Sequence, residues 1–198
     1  MGRGALKFML VGLPKSGSKS IHKALKSARI RSVHSNDICA RAYRNWRRGR
    51  DLMAGFEHIE AICELVWFGQ LKPVDYVLQF DRRYLLDLRA QYEVGFLLNT
   101  REPASLLSSI TRWRPTTRSD WIGADLPFLR AGKGRRDQDF IDGINRHYDM
   151  IRETFRDDPL FRECDIADPA MPDVLAEMVG SRPSWWGKAN VNHRNPAP

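Results

Sequence analysis

The feature that most constrains this chain is a loop rich in glycine, lysine and serine between an apolar strand and a helix. Leu6–Gly12 is short, mostly apolar and followed by Leu-Pro, which predicts a buried strand. The loop, here called the phosphate loop, reads Gly-Leu-Pro-Lys-Ser-Gly-Ser-Lys-Ser over Gly12–Ser20. Apolar residues at helical spacing over Ser18–Ala28 predict a helix. A strand, a glycine-containing loop and a helix in this order form the context in which backbone N–H groups hold phosphate.

The side chains of the loop suit the same ligand. Lys15 can reach a phosphate oxygen, and the hydroxyls of Ser18 and Ser20 can donate hydrogen bonds to it. The alternative is an ordinary strand–helix turn with a serine cap, which the combination of Gly, Lys and Ser disfavours. The loop is not a Walker A sequence, because Gly17 is followed by Ser18 and the next lysine, Lys19, comes one place late. That displacement weakens the case for a magnesium-dependent kinase.

The rest of the chain alternates predicted strands and helices. Further strands are predicted over Ile30–His34, Tyr76–Phe80, Gly95–Thr100 and Leu160–Ile166. Further helices are predicted over Asn36–Arg48, Phe56–Phe68, Arg82–Tyr92, Pro103–Trp113, Gln138–Phe155 and Pro172–Val179. The alternation predicts a three-layer α/β fold, in which helices flank a central, mostly parallel sheet. We expect a single domain over residues 1–198, with a loop or lid at 114–136, where Pro, Gly and Arg are frequent.

Two motifs of the chain are considered together. The first is Pro-Lys-Ser-Gly-Ser-Lys-Ser at Pro14–Ser20. The second is Phe-Leu-Leu-Asn-Thr-Arg-Glu-Pro at Phe96–Pro103, where Arg101 ends a strand and Ser109 follows eight residues later on the next helix. The pair resembles the PAPS-dependent sulfotransferases, most closely the short bacterial type. The resemblance implies a P-loop NTPase-like fold and a metal-free reaction. In that reaction a sulfuryl group passes from 3′-phosphoadenosine-5′-phosphosulfate (PAPS) to a hydroxyl or amine of a small-molecule or carbohydrate acceptor.

The resemblance also implies roles for individual residues. Arg101 and Ser109 would bind the 3′-phosphate that distinguishes PAPS from ATP. Lys15 would in addition stabilise the oxygen that bridges sulfur and phosphorus. The residues expected to hold the 5′-phosphate side of the cofactor are Lys15, Ser16, Gly17, Ser18, Lys19 and Ser20.

An acceptor hydroxyl also benefits from a general base, and two residues are placed for this role. Asp81 follows the predicted strand Tyr76–Phe80, and His34 ends the predicted strand Ile30–His34. The carboxyl ends of parallel strands open onto the ligand crevice, so both are candidate catalytic residues with Lys15. Asp81 has the equally simple interpretation of a helix cap, and His34 that of a hydrogen-bonded turn residue.

Charge and composition leave two further classes open. The net charge of +8 favours an anionic partner, and the run Arg41–Arg50 either contacts nucleic acid or is a solvated helix face, which we consider the simpler interpretation. The alternatives to a sulfotransferase are a nucleotide or small-molecule kinase that uses the same loop, and a non-catalytic nucleotide or nucleic-acid binder. The six tryptophans can line an acceptor pocket or pack in the core.

The remaining expectations concern metals, membranes and location. The three cysteines and five histidines form no recognisable metal-ligand pattern, so no metal is expected. No apolar run approaches the roughly 20 residues of a membrane helix, and the start of the chain does not resemble a secretory signal. We therefore expect a cytoplasmic protein. The sequence does not predict its oligomeric state.

Overall fold

Five parallel strands form one sheet with the first strand at its centre. The structure is a computed structural model that describes residues 6–35, 38–66, 77–113, 117–124, 126–130 and 132–189. Its strands are β1 (Phe8–Leu10), β2 (Ser32–His34), β3 (Ala61–Glu64), β4 (Gly95–Thr100) and β5 (Phe161–Asp165). They lie in the order β2-β3-β1-β4-β5, and every neighbouring pair is parallel.

Helices cover both faces of this sheet. They are α1 (Ser18–Ser27), α2 (Cys39–Arg47), α3 (Arg82–Gln91), α4 (Pro103–Trp113), α5 (Thr117–Gly123), α6 (Asp137–Phe155) and α7 (Met171–Val179). Buried residues of α1 and α7 pack with Phe8, Leu10 and Leu97 on one face. Those of α2 to α6 pack with Met9, Phe96 and Leu98 on the other. The predicted three-layer α/β class is confirmed.

Two predicted elements are wrong. The region of the helix predicted over Phe56–Phe68 contains β3, and its last two residues lie outside the described residues. A short apolar run that is buried on both faces has no alternation to distinguish a strand from a buried helix. The strand predicted over Tyr76–Phe80 is a 3-10 helix over Leu78–Phe80, and Tyr76 lies outside the described residues. The 114–136 stretch, predicted as a loop, contains α5.

The order of the strands reverses next to the phosphate loop. After β1 the chain runs through α1 to β2 at one edge of the sheet. After β4 it runs through α4, α5 and α6 to β5 at the opposite edge. Because β1 and β4 are neighbours, the carboxyl edge between them is a topological switch point of the sheet. Ligands of open α/β sheets bind at such a point. Among the described residues, no helix has the length and apolar character to cross a membrane.

Candidate functional site

Two glycines bring the phosphate loop against the ends of neighbouring strands. A Cβ atom at Gly12 would overlap with the backbone and side-chain oxygens of Asn99 on β4. A Cβ atom at Gly17 would overlap with the side chain of Ile166, directly after β5. Gly17 also has a φ angle of +95°, a conformation that glycine adopts readily, and Lys15 has a φ of +75°. The loop therefore depends on glycine at both positions.

Buried polar side chains form hydrogen bonds that fix the phosphate loop. The Asn99 amide donates to the backbone oxygen of Ser16 at 2.9 Å and to its Oγ at 2.7 Å. The Ser16 hydroxyl in turn donates to the carbonyl of Leu13, and the Gln79 amide donates to the carbonyl of Gly12. These bonds satisfy polar groups inside the fold and fix the loop backbone. The Ser16 side chain thus supports the loop, and a direct contact of Ser16 with a ligand stays a prediction.

The end of the loop presents backbone donors at the start of α1. Gly17 occupies the N-cap position and offers no side-chain cap, so the simple serine-capped turn is not what the structure contains. The N–H groups of Gly17, Ser18 and Lys19 donate to no acceptor in the described part of the chain. Such groups carry the positive end of the helix dipole and are the donors that an anion can use.

The two lysines of the loop lie near an exposed aromatic ring. The Lys15 Nζ atom is 3.2 Å from the ring centroid of Trp113 at the end of α4, and Lys19 Nζ is 5.5 Å from it. Partial burial of the Lys15 ammonium, together with the positive charges of Lys19 and Arg101, lowers the pKa of Lys15 to about 8, while Glu64 acts in the opposite direction. Lys15 is therefore a lysine whose charge changes near neutral pH.

Three side chains from three elements meet beside the loop. Ser18 Oγ lies 2.9 Å from His34 Nε2 and 3.3 Å from Glu64 Oε2, and the His34 and Glu64 atoms are 3.1 Å apart. A register shift brings them together, because Val33 pairs with Ile62 but His34 pairs with Glu64. Such irregularities re-aim side chains at strand ends. The cluster holds a hydroxyl, an imidazole and a carboxylate within hydrogen-bonding distance, which suits it to accept and hold a proton.

Arg101 contacts the loop from the end of a neighbouring strand. It follows β4 directly, and its Nη1 atom donates to the carbonyl of Lys15 at 3.1 Å. The Tyr148 hydroxyl on α6 accepts from the Arg101 N–H and donates to the Arg101 carbonyl, both at 3.2 Å. Ser109 is half-buried on α4, and no hydrogen bond joins it to Arg101 in the described structure. Its place beside a phosphate stays a prediction.

Two other predicted site residues have protein partners. Ser20 Oγ accepts a hydrogen bond from the backbone N–H of Ala189 at 3.0 Å. Asp81 is the N-cap of α3, where its Oδ1 accepts from the N–H groups of Arg83 and Tyr84 at 2.9 and 3.3 Å. The cap interpretation of Asp81 therefore describes a contact that exists, and its role as a base stays a prediction.

Sequence reasoning missed several residues that build the site. Glu64 was missed because its strand was predicted as a helix. Had the strand been recognised, an acidic residue at its end would have indicated a site residue. Asn99 gave a signal of its own, as a polar residue inside the apolar run Gly95–Thr100. Nothing in the local pattern of the last helix before β5 points to Tyr148.

Comparison with known proteins adds little to this description. No protein-family model matches the chain, and no curated protein matches it. Among solved structures, a gluconokinase from Sinorhizobium meliloti 1021 is similar with a TM-score of 0.42 and 14% sequence identity, over 90% of this chain and 89% of that chain. A similarity this distant does not indicate what the present chain does.

Proposed function

We propose that this chain is a sulfotransferase that binds PAPS across the phosphate loop and Arg101. The observation that carries the proposal is the contact between Arg101 and the Lys15 carbonyl at 3.1 Å. It brings a guanidinium to the edge of a phosphate loop, at the switch point between two neighbouring strands. An arginine presents several donors in a plane and suits a phosphate dianion. The 3′-phosphate is the anionic group that distinguishes PAPS from nucleotides phosphorylated only at the 5′ position.

The residues of the loop fit the 5′ side of such a ligand. The N–H groups of Gly17, Ser18 and Lys19 have no acceptor in the described part of the chain and point from the start of a helix. Glycine at position 17 allows the φ of +95° found there and avoids the overlap of a Cβ with Ile166. Lys15 and Lys19 add positive charge at the same place. These groups would hold the 5′-phosphate, and Arg101 with Ser109 would hold the 3′-phosphate.

PAPS would supply a sulfuryl group, which leaves its 5′-phosphate oxygen as a new S–O bond forms to the acceptor hydroxyl. By analogy with phosphoryl transfer, the protein contributes mainly positioning and cationic stabilisation. The Lys15 ammonium offsets the negative charge that develops on the released phosphate oxygen. The acceptor proton passes to a base of the protein, so the products are a sulfate ester and 3′,5′-bisphosphoadenosine (PAP).

We assign the base to His34, supported by Glu64. His34 Nε2 lies within 3.1 Å of both Ser18 Oγ and Glu64 Oε2, beside the first turn of the helix that follows the loop. A carboxylate next to an imidazole can hold the ring in the orientation in which it takes up a proton. Asp81, whose Oδ1 atom accepts two backbone hydrogen bonds as a helix cap, is the second candidate for this role.

Among the tryptophans that the structure describes, Trp113 is the best placed for contact with an acceptor. It is 43% exposed and lies against the Lys15 ammonium, whereas Trp121 is buried in the core and Trp46 donates to Asp87. When Lys15 turns to a phosphate, the indole face becomes available to a ring of the acceptor. This favours a sugar or an aromatic small molecule as acceptor.

Selective binding of PAP tests the proposal. Thermal shifts would be measured with PAP, AMP and ATP, each with and without Mg²⁺, because a ligand that binds the native state raises the melting temperature by mass action. We expect PAP to stabilise the protein far more than AMP, and without Mg²⁺. Equal stabilisation by PAP and AMP would refute the assignment.

One observation favours a kinase as the second candidate. The Ser18 hydroxyl lies 3.3 Å from the Glu64 carboxylate, at the end of the strand next to the loop. In P-loop NTPases a loop hydroxyl and a strand-end carboxylate together hold Mg²⁺. If stabilisation required ATP and Mg²⁺ together and PAP had no effect, the kinase would replace the sulfotransferase.

A further inference from the structure

Two consecutive residues of α6 contact the two segments that form the proposed site. His147 Nε2 lies 2.7 Å from the carbonyl of Val11, the last residue before the phosphate loop. The hydroxyl of Tyr148 bonds to both the N–H and the carbonyl of Arg101 at 3.2 Å. A single turn of one helix thus touches the exit of β1 and the exit of β4, which are neighbouring strands.

The surroundings of His147 suggest that its bond to Val11 is the reason for a histidine at this position. The side chain is fully buried, with Phe80 and Phe128 rings each 5.4 Å away. Burial lowers the pKa of His147 to about 4, so the ring is neutral and its single N–H must be on Nε2 to reach the Val11 carbonyl. The Nδ1 atom has no partner in the described structure. An apolar residue would avoid that buried unpaired acceptor but would leave the carbonyl unbonded.

Tyr148 holds the peptide groups on both sides of Arg101 through one hydroxyl. The residue is buried, and burial raises the pKa of its hydroxyl to about 12, so the group keeps the hydrogen it donates to the Arg101 carbonyl. The guanidinium of Arg101 itself reaches the Lys15 carbonyl at 3.1 Å. The direction in which Arg101 leaves β4 therefore depends on a contact from α6 to its backbone.

We propose that His147 and Tyr148 are positioning residues that set the separation between the phosphate loop and Arg101. The inference rests on the proposed function, because its consequence is a preference for nucleotides that carry a 3′-phosphate. Neither residue touches the ligand in this scheme. Tyr148 acts through Arg101 and affects only 3′-phosphate recognition, whereas His147 acts through the loop and affects every 5′-phosphorylated ligand alike.

Calorimetric titration of PAP and AMP into three variants tests this division. In Tyr148→Phe we expect about a tenfold loss of PAP affinity, the size of one hydrogen-bonding contribution, with AMP affinity nearly unchanged. In His147→Leu we expect PAP and AMP to lose affinity together, and His147→Gln, which keeps an N–H donor, to recover most of it. Tyr84→Phe is the matched control, since Tyr84 is a buried tyrosine whose hydroxyl has no described partner.

The ratio of PAP to AMP affinity separates positioning from a loss of stability. A purely structural role of Tyr148 lowers the melting temperature of Tyr148→Phe and leaves the ratio as in wild type, which would overturn the inference. If Tyr148→Phe does not fold, the test rests on His147→Leu. Unchanged binding of both PAP and AMP in that variant would overturn the inference. If wild-type protein itself binds PAP no better than AMP, the proposed function fails and the inference fails with it.

Discussion

Raising the pH should deprotonate Lys15 in a range where most lysines stay charged. Burial, the charges of Lys19 and Arg101, and the opposing effect of Glu64 bring its pKa from 10.5 to about 8. Because the pKa of this cation is lowered, the ammonium is present below about pH 8 and is lost above it. A bound anion needs the charged form, so we expect the affinity for PAP to fall as the pH rises through this value.

The size of the effect follows from the pKa. With a pKa of about 8, Lys15 is about 90% protonated at pH 7 and about 10% protonated at pH 9. If the neutral amine contributes little to binding, the apparent affinity for PAP falls close to tenfold over that interval. The ligand contributes little to this change, since a phosphate group with a second pKa of about 6 is already about 90% doubly ionised at pH 7.

Calorimetric titrations of PAP at constant ionic strength, from neutral to alkaline pH, measure this dependence. Lys15→Arg is the first control, because a guanidinium stays charged throughout and should give a flat profile. Lys19→Ala is the second, because removing a neighbouring positive charge raises the pKa of Lys15 and moves the fall in affinity to higher pH. One control abolishes the pH dependence and the other moves it to higher pH, so together they assign the profile to Lys15.

A flat wild-type profile over the same interval would refute this reasoning. It would mean that the Lys15 ammonium does not contribute to binding, or that it remains on the Trp113 ring when the ligand is present. A profile that persists in Lys15→Arg would assign the titration to another group.

The remaining predictions concern other residues of the site. His34→Gln should lower kcat about 10²-fold with little change in PAP binding. Asp81→Asn should change neither turnover nor melting temperature appreciably, because Asn caps helices as well as Asp. The reverse pattern would assign the base to Asp81. Arg101→Ala should weaken PAP binding by about 1.5–3 kcal/mol and AMP binding much less, as measured by calorimetry; equal losses would remove the 3′-phosphate role. Gly17→Ala should destabilise the protein by about 2 kcal/mol or more in chemical denaturation, since its φ is positive and its Cβ would overlap with Ile166. Turnover of PAPS should persist in EDTA, and an activity that returns only with Mg²⁺ would favour the kinase.

The sequence predicted those parts of the fold that depend on local pattern. Gly95–Thr100 was predicted with its observed bounds because a six-residue apolar run between a helix and Arg-Glu-Pro has few other interpretations. Pro103–Trp113 was also correct, helped by the proline at its first position. β3 was missed because burial on both faces removes the alternation of a strand.

The candidate site was only partly predictable, for a different reason. The loop and Arg101 were found because each motif is continuous in sequence. The contacts that join them are not continuous. Asn99 and Ser16 are 83 residues apart, and Arg101 and Tyr148 are 47 residues apart. Only the order of strands in the sheet brings such pairs together, and that order follows from long-range packing.

The irregular pairing of β2 and β3 explains why His34 is the better candidate base than Asp81. In an unbroken parallel register, His34 would pair with Cys63, a fully buried core residue. The shift passes over Cys63 and pairs His34 with Glu64, so an imidazole and a carboxylate come within 3.1 Å of each other beside Ser18. Asp81 has no such neighbour among its described contacts, and its carboxylate already accepts two backbone hydrogen bonds. A base works best beside groups that can exchange a proton with it and orient it, and the β2–β3 edge gives His34 the Ser18 hydroxyl and the Glu64 carboxylate.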